Sequence, residues 1–216
     1  MGRVYIYVVA RDFGFAPNPF HGYCTLATCK PGIRNKAEPD DWIIGMGGTR
    51  LKAVGRCVFA MRVTQKITFN EYWTNPTYMD KKPVRNGSRI MMVGDNVYHF
   101  DSQHKKWYQA KSHHSHPDGS INERNLCTDT KSDKVLLSRH FFYLGKEARI
   151  VPEELLNAIG YENQRNYRVF DADACKGLIG WLGSSFGRLL NQVPADPFDF
   201  ADSHAHYSGS GNKILK

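Results

Sequence analysis

Val4-Tyr5-Ile6-Tyr7-Val8-Val9 decides the fold: six β-branched or aromatic side chains in a row, bounded by Arg3 and by Arg11-Asp12, have the composition of a buried strand. This strand opens the central sheet. Arg11 and Asp12 cut the apolar run short and no small-residue cleavage site follows, so it does not read as a signal peptide. No later apolar run approaches the roughly 18 residues that a membrane span needs. The expectation is a soluble, cytoplasmic protein without a membrane partner.

Downstream, Asp12 to Arg34 carries Gly14, Pro17, Pro19, Gly22, Pro31 and Gly32, too many breakers for a long helix, which leaves an extended, loop-rich segment. Loops of this length are uncommon unless they perform a task. Asp40-Asp41-Trp42-Ile43-Ile44-Gly45 and Cys57 to Val63 read as two further strands. Thr68 begins a short helix, because its hydroxyl accepts from the backbone three residues on and Glu71 stands where the reciprocal bond requires it. Ser88 to Val93 and Val97 to Phe100 are expected to be a strand and a hairpin arm joined by Gly94-Asp95-Asn96. Ser112 to Ser132 is polar and is expected to be a loop, before core-like composition returns at Val135 to Ser138 and His140 to Leu144.

From Pro152 the pattern turns helical. Pro152-Glu153-Glu154 suits a first turn, Leu155, Leu156 and Ile159 form an apolar stripe, and Gly160 is a stop signal. Asp173 to Val193 is a second helical stretch, weakened by four glycines and suited to packing or to a homodimer contact. The fold class is α+β: a mostly antiparallel, strongly bent sheet or partial β-barrel with short helices. Residues 1–150 make the ligand-handling domain, 151–193 a helical extension packed on it, and 194–216 a mobile tail.

Lysine and arginine outnumber aspartate and glutamate by 29 to 21, a formal charge of +8, which draws polyanions by long-range attraction and counterion release. Lys81, Lys82, Arg85 and Arg89 form one basic group and Lys105, Lys106 and Lys111 another, each interleaved with aromatics as on nucleic-acid or nucleotide surfaces. Solubility alone is the plainer use of the charge. Five cysteines form an odd set with no C-x-x-C pair, which argues against a disulfide framework or a structural zinc site and fits a reducing compartment. Neither a Walker-type phosphate loop nor a G-x-G-x-x-G fingerprint is present, so Gly45-Met46-Gly47-Gly48 reads as a turn.

Two constellations carry chemistry. Arg11-Asp12-Phe13-Gly14-Phe15-Ala16-Pro17-Asn18-Pro19-Phe20, continued by Gly22 to Arg34, places an acid, an amide, thiols, hydroxyls and arginines on a backbone that small residues let a ligand approach. Phe15 or Trp42 is the expected stacking face, Asp12 and Asn18 are the expected readers of a base edge, Thr25 is a further contact, and Arg34, Lys82 and Arg85 meet phosphate. The plainer reading puts the phenylalanines in the core and the polar groups to holding the loop.

The second constellation is Ser112-His113-His114-Ser115-His116 with Asp118, Asn122, Asn125, Asp129 and Thr130. His114 and His116 share a face in a strand, His113 and His116 in a helical turn, and either spacing can hold a metal. No acid stands at a fixed spacing and Pro117 breaks the regularity, so no metal is assigned. Ser115 and Asp129 are taken as binding residues, and His113 and His114 as acid-base groups or phosphate contacts. Cys24 or Cys29 with either histidine meets the loose requirement for a thiol and an imidazole brought together by folding. Cys24 is taken as the candidate nucleophile, although buried cysteine is usually a small apolar residue.

The first constellation, with Asp41-Trp42-Ile43-Ile44-Gly45 and Gly94-Asp95-Asn96-Val97-Tyr98, resembles a phage and bacterial family, the nucleotide modification associated domains of the second type. The likeness runs from Val4 to Gly145, roughly two-thirds of the 216 residues. It implies a setting among systems that make or handle modified DNA bases rather than any one reaction, and it implies no particular cofactor. A shorter pattern, the Asp-Trp-Ile-Ile-Gly strand, a loop, then Gly55 to Val63 leading into a Thr-capped helix, is similar to the barrels of pseudouridine-synthase-associated (PUA-like) domains, which cradle single bases.

Three functions follow as expectations. The first is a module that binds a nucleotide or a nucleic-acid base in phage or bacterial defence. The second is a hydrolase or transferase acting on a nucleotide or modified base through Asp12, a histidine of the 113–116 cluster and Cys24. The third is a protein-interaction subunit that touches no nucleotide.

Overall fold

The computed structural model describes residues 2–164, 166–209 and 213–215. In chain order the strands are β1 (Arg3–Val9), β2 (Cys24–Leu26), β3 (Trp42–Gly47), β4 (Arg56–Arg62), β5 (Gln65–Thr68), β6 (Tyr98–Asp101), β7 (Lys106–Gln109), β8 (Lys134–Ser138), β9 (Phe141–Tyr143), β10 (Arg149–Ile150), β11 (Tyr167–Asp171), β12 (His206–Ser208) and β13 (Lys213–Leu215). The α-helices are α1 (Pro31–Lys36), α2 (Phe69–Thr74), α3 (Arg89–Met92), α4 (Glu123–Asp129), α5 (Glu153–Ala158) and α6 (Lys176–Phe186).

The larger sheet runs β4-β3-β1-β11, with β9 and β10 sharing the outer edge of β4. Among the described residues only β1 and β3 pair in parallel, and every other pairing in it is antiparallel. A second sheet, β2-β8-β5, and the hairpin β6-β7 complete the antiparallel character of an α+β fold, and the sheets form no closed barrel among the described residues.

Alternation along the strands explains the layering. In β1, Tyr5, Tyr7 and Val9 face one core while Val4 and Ile6 face another, as a strand buried on both sides must. The first core lies between the two sheets, where Leu136 of β8 joins it. Leu178, Leu182 and Phe186 of α6 cover the second. A third gathers Val135 and Leu137 from the opposite face of β8 with Phe69, Tyr72 and Tyr98 from α2 and β6. Each fully buried side chain of this size contributes roughly 1.5–3 kcal/mol.

Thr68 caps α2 as its sequence dictates, with both bonds to Glu71 in place. Other local expectations are overturned. Gly45 and Gly47 lie inside β3 rather than in a turn, and they serve close packing: a Cβ on Gly45 would stand 2.1 Å from the Phe59 ring, and one on Gly47 2.3 Å from the Ala53 carbonyl oxygen. Ser88 caps the helix α3 where a strand was expected, and the hairpin forms one element later, between β6 and β7. The stretch 112–132 contains α4, whose N-cap Asn122 accepts from the Asn125 N–H. In the C-terminal segment, Phe200 and Ala205 are buried and the Asp199 N–H donates to the Asp12 carbonyl. Residues 210–212 and 216 of the tail lie outside the described residues.

Candidate active site

The carboxyl end of β1, the loop from Arg11 to Ala16, the start of α1, the His113-His114 turn, α4 and Tyr207 of β12 converge on a cleft of about 420 Å³. That volume lies within the range of small-molecule pockets, roughly 300–1,000 Å³. Tyr7, Phe13, Phe15 and Tyr207 give it aromatic walls, and Arg11, Lys30 and Arg124 give it positive charge.

Across the cleft floor a carboxylate, an imidazole and a thiol stand in line. His114 Nδ1 lies 2.8 Å from Asp129 Oδ2, and His114 Nε2 lies 3.8 Å from Cys29 Sγ. Asp129 Oδ2 also accepts from the Tyr98 hydroxyl at 2.8 Å, and Oδ1 accepts from the Cys29 N–H at 2.7 Å. His114 and Asp129 are buried and Cys29 is half-exposed, so only the thiol end meets solvent. The carboxylate and the thiol occupy opposite ring nitrogens of one imidazole, which is how a nucleophile, its proton partner and an orienting acid are arranged.

Local folding accounts for this placement. Cys29 and Lys30 both take left-handed backbone conformations, with φ of 55° and 40°, uncommon for side-chain-bearing residues and tolerated where the surroundings enforce them. Arg34 does the enforcing. Fully buried on α1, it donates to the carbonyl oxygens of Cys29 at 2.8 Å and Ser132 at 2.7 Å, and also to those of Asp129 and Lys134. Asn125 holds the other loop, donating to the His114 carbonyl at 2.8 Å and to the Tyr207 carbonyl at 2.7 Å.

Burial alone would discharge His114, but the charges of Asp129 and Cys29 outweigh it and push the imidazole up to about 10. Asp129, for its part, is held below the usual carboxylate range: burial opposes this, and the His114 charge and hydrogen bond prevail. Burial and the neighbouring His114 charge drive His113 the other way, well below the normal imidazole value. A neutral His113 donates from Nδ1 to the Ala205 carbonyl at 2.7 Å and packs against Phe13 and Phe15, 4.5 and 5.2 Å between ring centres.

Cys29, His114 and Asp129 also form a set whose ligand atoms lie within 4.8 Å of one another, a group that could hold a metal ion. Such an ion would have to compete with His114 and the Cys29 N–H for the Asp129 oxygens. The hydrogen-bonded line therefore describes the donor set better than a three-ligand site does.

Of the residues singled out in the sequence, the cleft brings together Arg11, Phe13, Phe15, Cys29, His113, His114, Asn125 and Asp129. Others are spent on the fold. Buried Asp12 accepts from the Tyr143 hydroxyl at 2.5 Å and from the Phe198 N–H at 3.1 Å, and burial pushes it up to about 6. The Asn18 amide donates to the Val93 carbonyl and accepts from Lys81, so it has no free edge with which to read a base. Thr25 donates to Asp95 at 2.6 Å. Ser115 bonds to the Ser112 and His116 carbonyls. Cys24 is buried in β2, where burial raises its thiol far above the usual range. Trp42 faces the second core, edge-on to His140. Arg85 donates to the carbonyls of Met92, Ser203, His204 and Ala205, fastening the C-terminal segment rather than a phosphate.

Lys82 belongs to a separate surface. Its ammonium lies 3.8 Å above the Trp73 ring; Trp73 stacks on His99 at 4.5 Å, His99 on Tyr108 at 4.9 Å, and Lys106 closes the ladder 4.8 Å from Tyr108.

The residues that sequence reasoning passed over are Tyr7, Lys30 and Tyr207, and it took Cys24 over Cys29 as the nucleophile. Asn122 followed by Glu123 was the available signal for α4, the helix that delivers Asp129.

No helix among the described residues is long and apolar enough to cross a membrane. No curated protein and no solved structure matches the chain. The family described as nucleotide modification associated domain 2 matches residues 1–204. This match includes α5, β11 and α6 as well as the stretch that carried the resemblance. The chain belongs to the nucleotide modification associated domain 2 family.

Proposed function

We propose that the protein is a thiol-dependent enzyme acting on a nucleotide or a modified base. Cys29 is the nucleophile, His114 its proton partner and Asp129 the orienting acid. One observation carries this reading: the line from Asp129 through both ring nitrogens of His114 to Cys29, at 2.8 and 3.8 Å, opening into a cleft. An imidazole protonated near neutral pH and facing a sulfur favours the thiolate that attacks and then supplies the proton a leaving group needs. Phe15 and Tyr207 offer faces for a base, and Arg11 and Arg124 supply charge for a phosphate. The family assignment supports nucleotide or DNA modification as the setting.

The test is mass spectrometry of nucleotides retained by the purified protein, followed by their fate on incubation. Wild type should convert what it retains, while Cys29→Ala retains it unchanged. Conversion at equal rates by both proteins rules out a role for the thiol.

A second reading, nucleic-acid binding without turnover, draws on the Lys82-Trp73-His99-Tyr108-Lys106 ladder. Stacked aromatic faces with a lysine at each end suit single-stranded nucleic acid, whose bases stack and whose phosphates pair. The two readings concern different surfaces and are separable by mutation.

A further inference from the structure

Two residues that line the cleft, Tyr7 and Lys30, carry polar groups with no partner in the arrangement described above. Tyr7, on β1, lines the cleft, and its buried hydroxyl makes no hydrogen bond to any described residue. Such orphans are rare in folded proteins and call for an explanation. Burial holds this phenol protonated, with the charges of Cys29, Cys24 and Asp12 acting the same way, so the hydroxyl is a donor, and Tyr7 shares the lining of the cleft with Cys29. Lys30, the residue after Cys29, carries its ammonium 4.5 Å from the centre of the Tyr7 ring. Among the described residues it has neither a hydrogen-bond acceptor nor an acidic partner. Asp129, the only acid lining the cleft among the described residues, is engaged by His114 and the Cys29 N–H.

A nucleophile that shares a cleft with an unsatisfied O–H donor and an unpaired ammonium is an arrangement that stabilises negative charge developing on a substrate oxygen. Resting on the assignment of Cys29 as nucleophile, we propose that the Tyr7 hydroxyl and the Lys30 ammonium receive the carbonyl oxygen of an ester or amide borne by a nucleotide or base. The Cys29 thiolate forms a bond to the carbonyl carbon, and the π pair moves to oxygen, where Tyr7 and Lys30 hold it. Collapse restores the carbonyl and breaks the bond to the leaving oxygen or nitrogen, which takes a proton from His114. Water then gives a proton to neutral His114 as it attacks the thioester, releasing the carboxylic acid and the thiolate.

Two probes separate oxygen stabilisation from thiol reactivity. p-Nitrophenyl acetate acylates sulfur through a tetrahedral oxyanion, whereas iodoacetamide alkylates it by displacement with no oxyanion. Both are given to wild type, Tyr7→Phe, Lys30→Met and Cys29→Ala. Cys29-dependent p-nitrophenolate release should fall about 100-fold in Tyr7→Phe and at least about tenfold in Lys30→Met. Alkylation of Cys29 in Tyr7→Phe should stay within about twofold of wild type. Tyr7→Phe removes only an unpartnered oxygen, so it should melt no lower than wild type.

Acylation of Tyr7→Phe at the wild-type rate overturns the proposal and leaves the thiol reading intact. An equal fall in both rates also overturns it, since the hydroxyl would then be positioning Cys29. Alkylation of Cys29 without any acylation of the wild-type protein overturns the carbonyl assignment alone. Failure of Cys29 to react with either probe overturns the thiol reading as well.

Discussion

Arg34 Nε donates to the carbonyl oxygen of Cys29 at 2.8 Å. The same guanidinium reaches the carbonyls of Asp129, Ser132 and Lys134, so one buried cation fixes the backbone at both ends of the thiol-imidazole-carboxylate line.

Arg34→Met should therefore be costly, because it leaves several buried carbonyls without a donor. The expected loss is about 3 kcal/mol or more in urea unfolding, or a melting temperature lower by roughly 6–12 °C. A loss under about 1 kcal/mol would mean that the guanidinium is not what holds the two segments together.

His114 sets a pH dependence whose sign is fixed. Its folded value is pushed up to about 10 against an ordinary 6.5, so the stability it contributes is complete below pH 6.5 and is lost as pH rises through about 10. Unfolding free energy should decline between those limits more steeply in wild type than in His114→Gln. The His114 ring proton resonances should likewise titrate near the upper end of that window. Titration near 6.5 would mean that His114 and Asp129 form no ion pair near neutral pH.

The cysteines should divide sharply. Cys24 and Cys57 are buried, with both thiols raised by burial, Cys57 to about 12. Cys24→Ala should leave nucleotide conversion within about twofold of wild type, whereas Cys29→Ala should lower it by at least about 10³-fold. Chromatographic assay of product decides between them; a Cys24→Ala enzyme as inactive as Cys29→Ala would move the nucleophile.

The aromatic ladder makes its own forecast. Tyr108→Ala should weaken binding of a labelled single-stranded oligonucleotide by about 1–3 kcal/mol, and Lys82→Ala should flatten the salt dependence of log K by about one unit of slope. Fluorescence anisotropy across a salt series reads both, and unchanged affinity in both variants would leave the ladder a structural feature.

The fold was legible where local chemistry and tertiary demand agree. Val4 to Val9 is apolar because both its faces are buried, and Thr68 with Glu71 spells its own cap. The extended reading of Ser88 to Val93 failed because a one-turn helix capped by Ser88 carries little periodic signal. Tyr167 to Asp171 passed unnoticed because this edge strand is largely exposed and lacks an apolar run.

The site was half legible. His113, His114 and Asp129 announced polarity, but whether a polar group faces a ligand or the protein depends on partners remote in sequence, as with Asp12 and Tyr143, 131 residues apart. Cys29 could not be preferred to Cys24 without knowing that β2 buries one and that the turn after it presents the other. Tyr7 and Lys30 looked like strand and loop residues, and only the orphaned hydroxyl and unpaired ammonium distinguish them.

A working nucleophile at Cys29 must react faster than Cys127, which is exposed and outside the line. Under limiting iodoacetamide at pH 7, with modification sites quantified by mass spectrometry, Cys29 should be alkylated at least about tenfold faster than Cys127. His114→Ala should remove that advantage. Equal rates at the two cysteines, or an advantage that survives the loss of His114, would contradict the claim that these side chains form a working nucleophile.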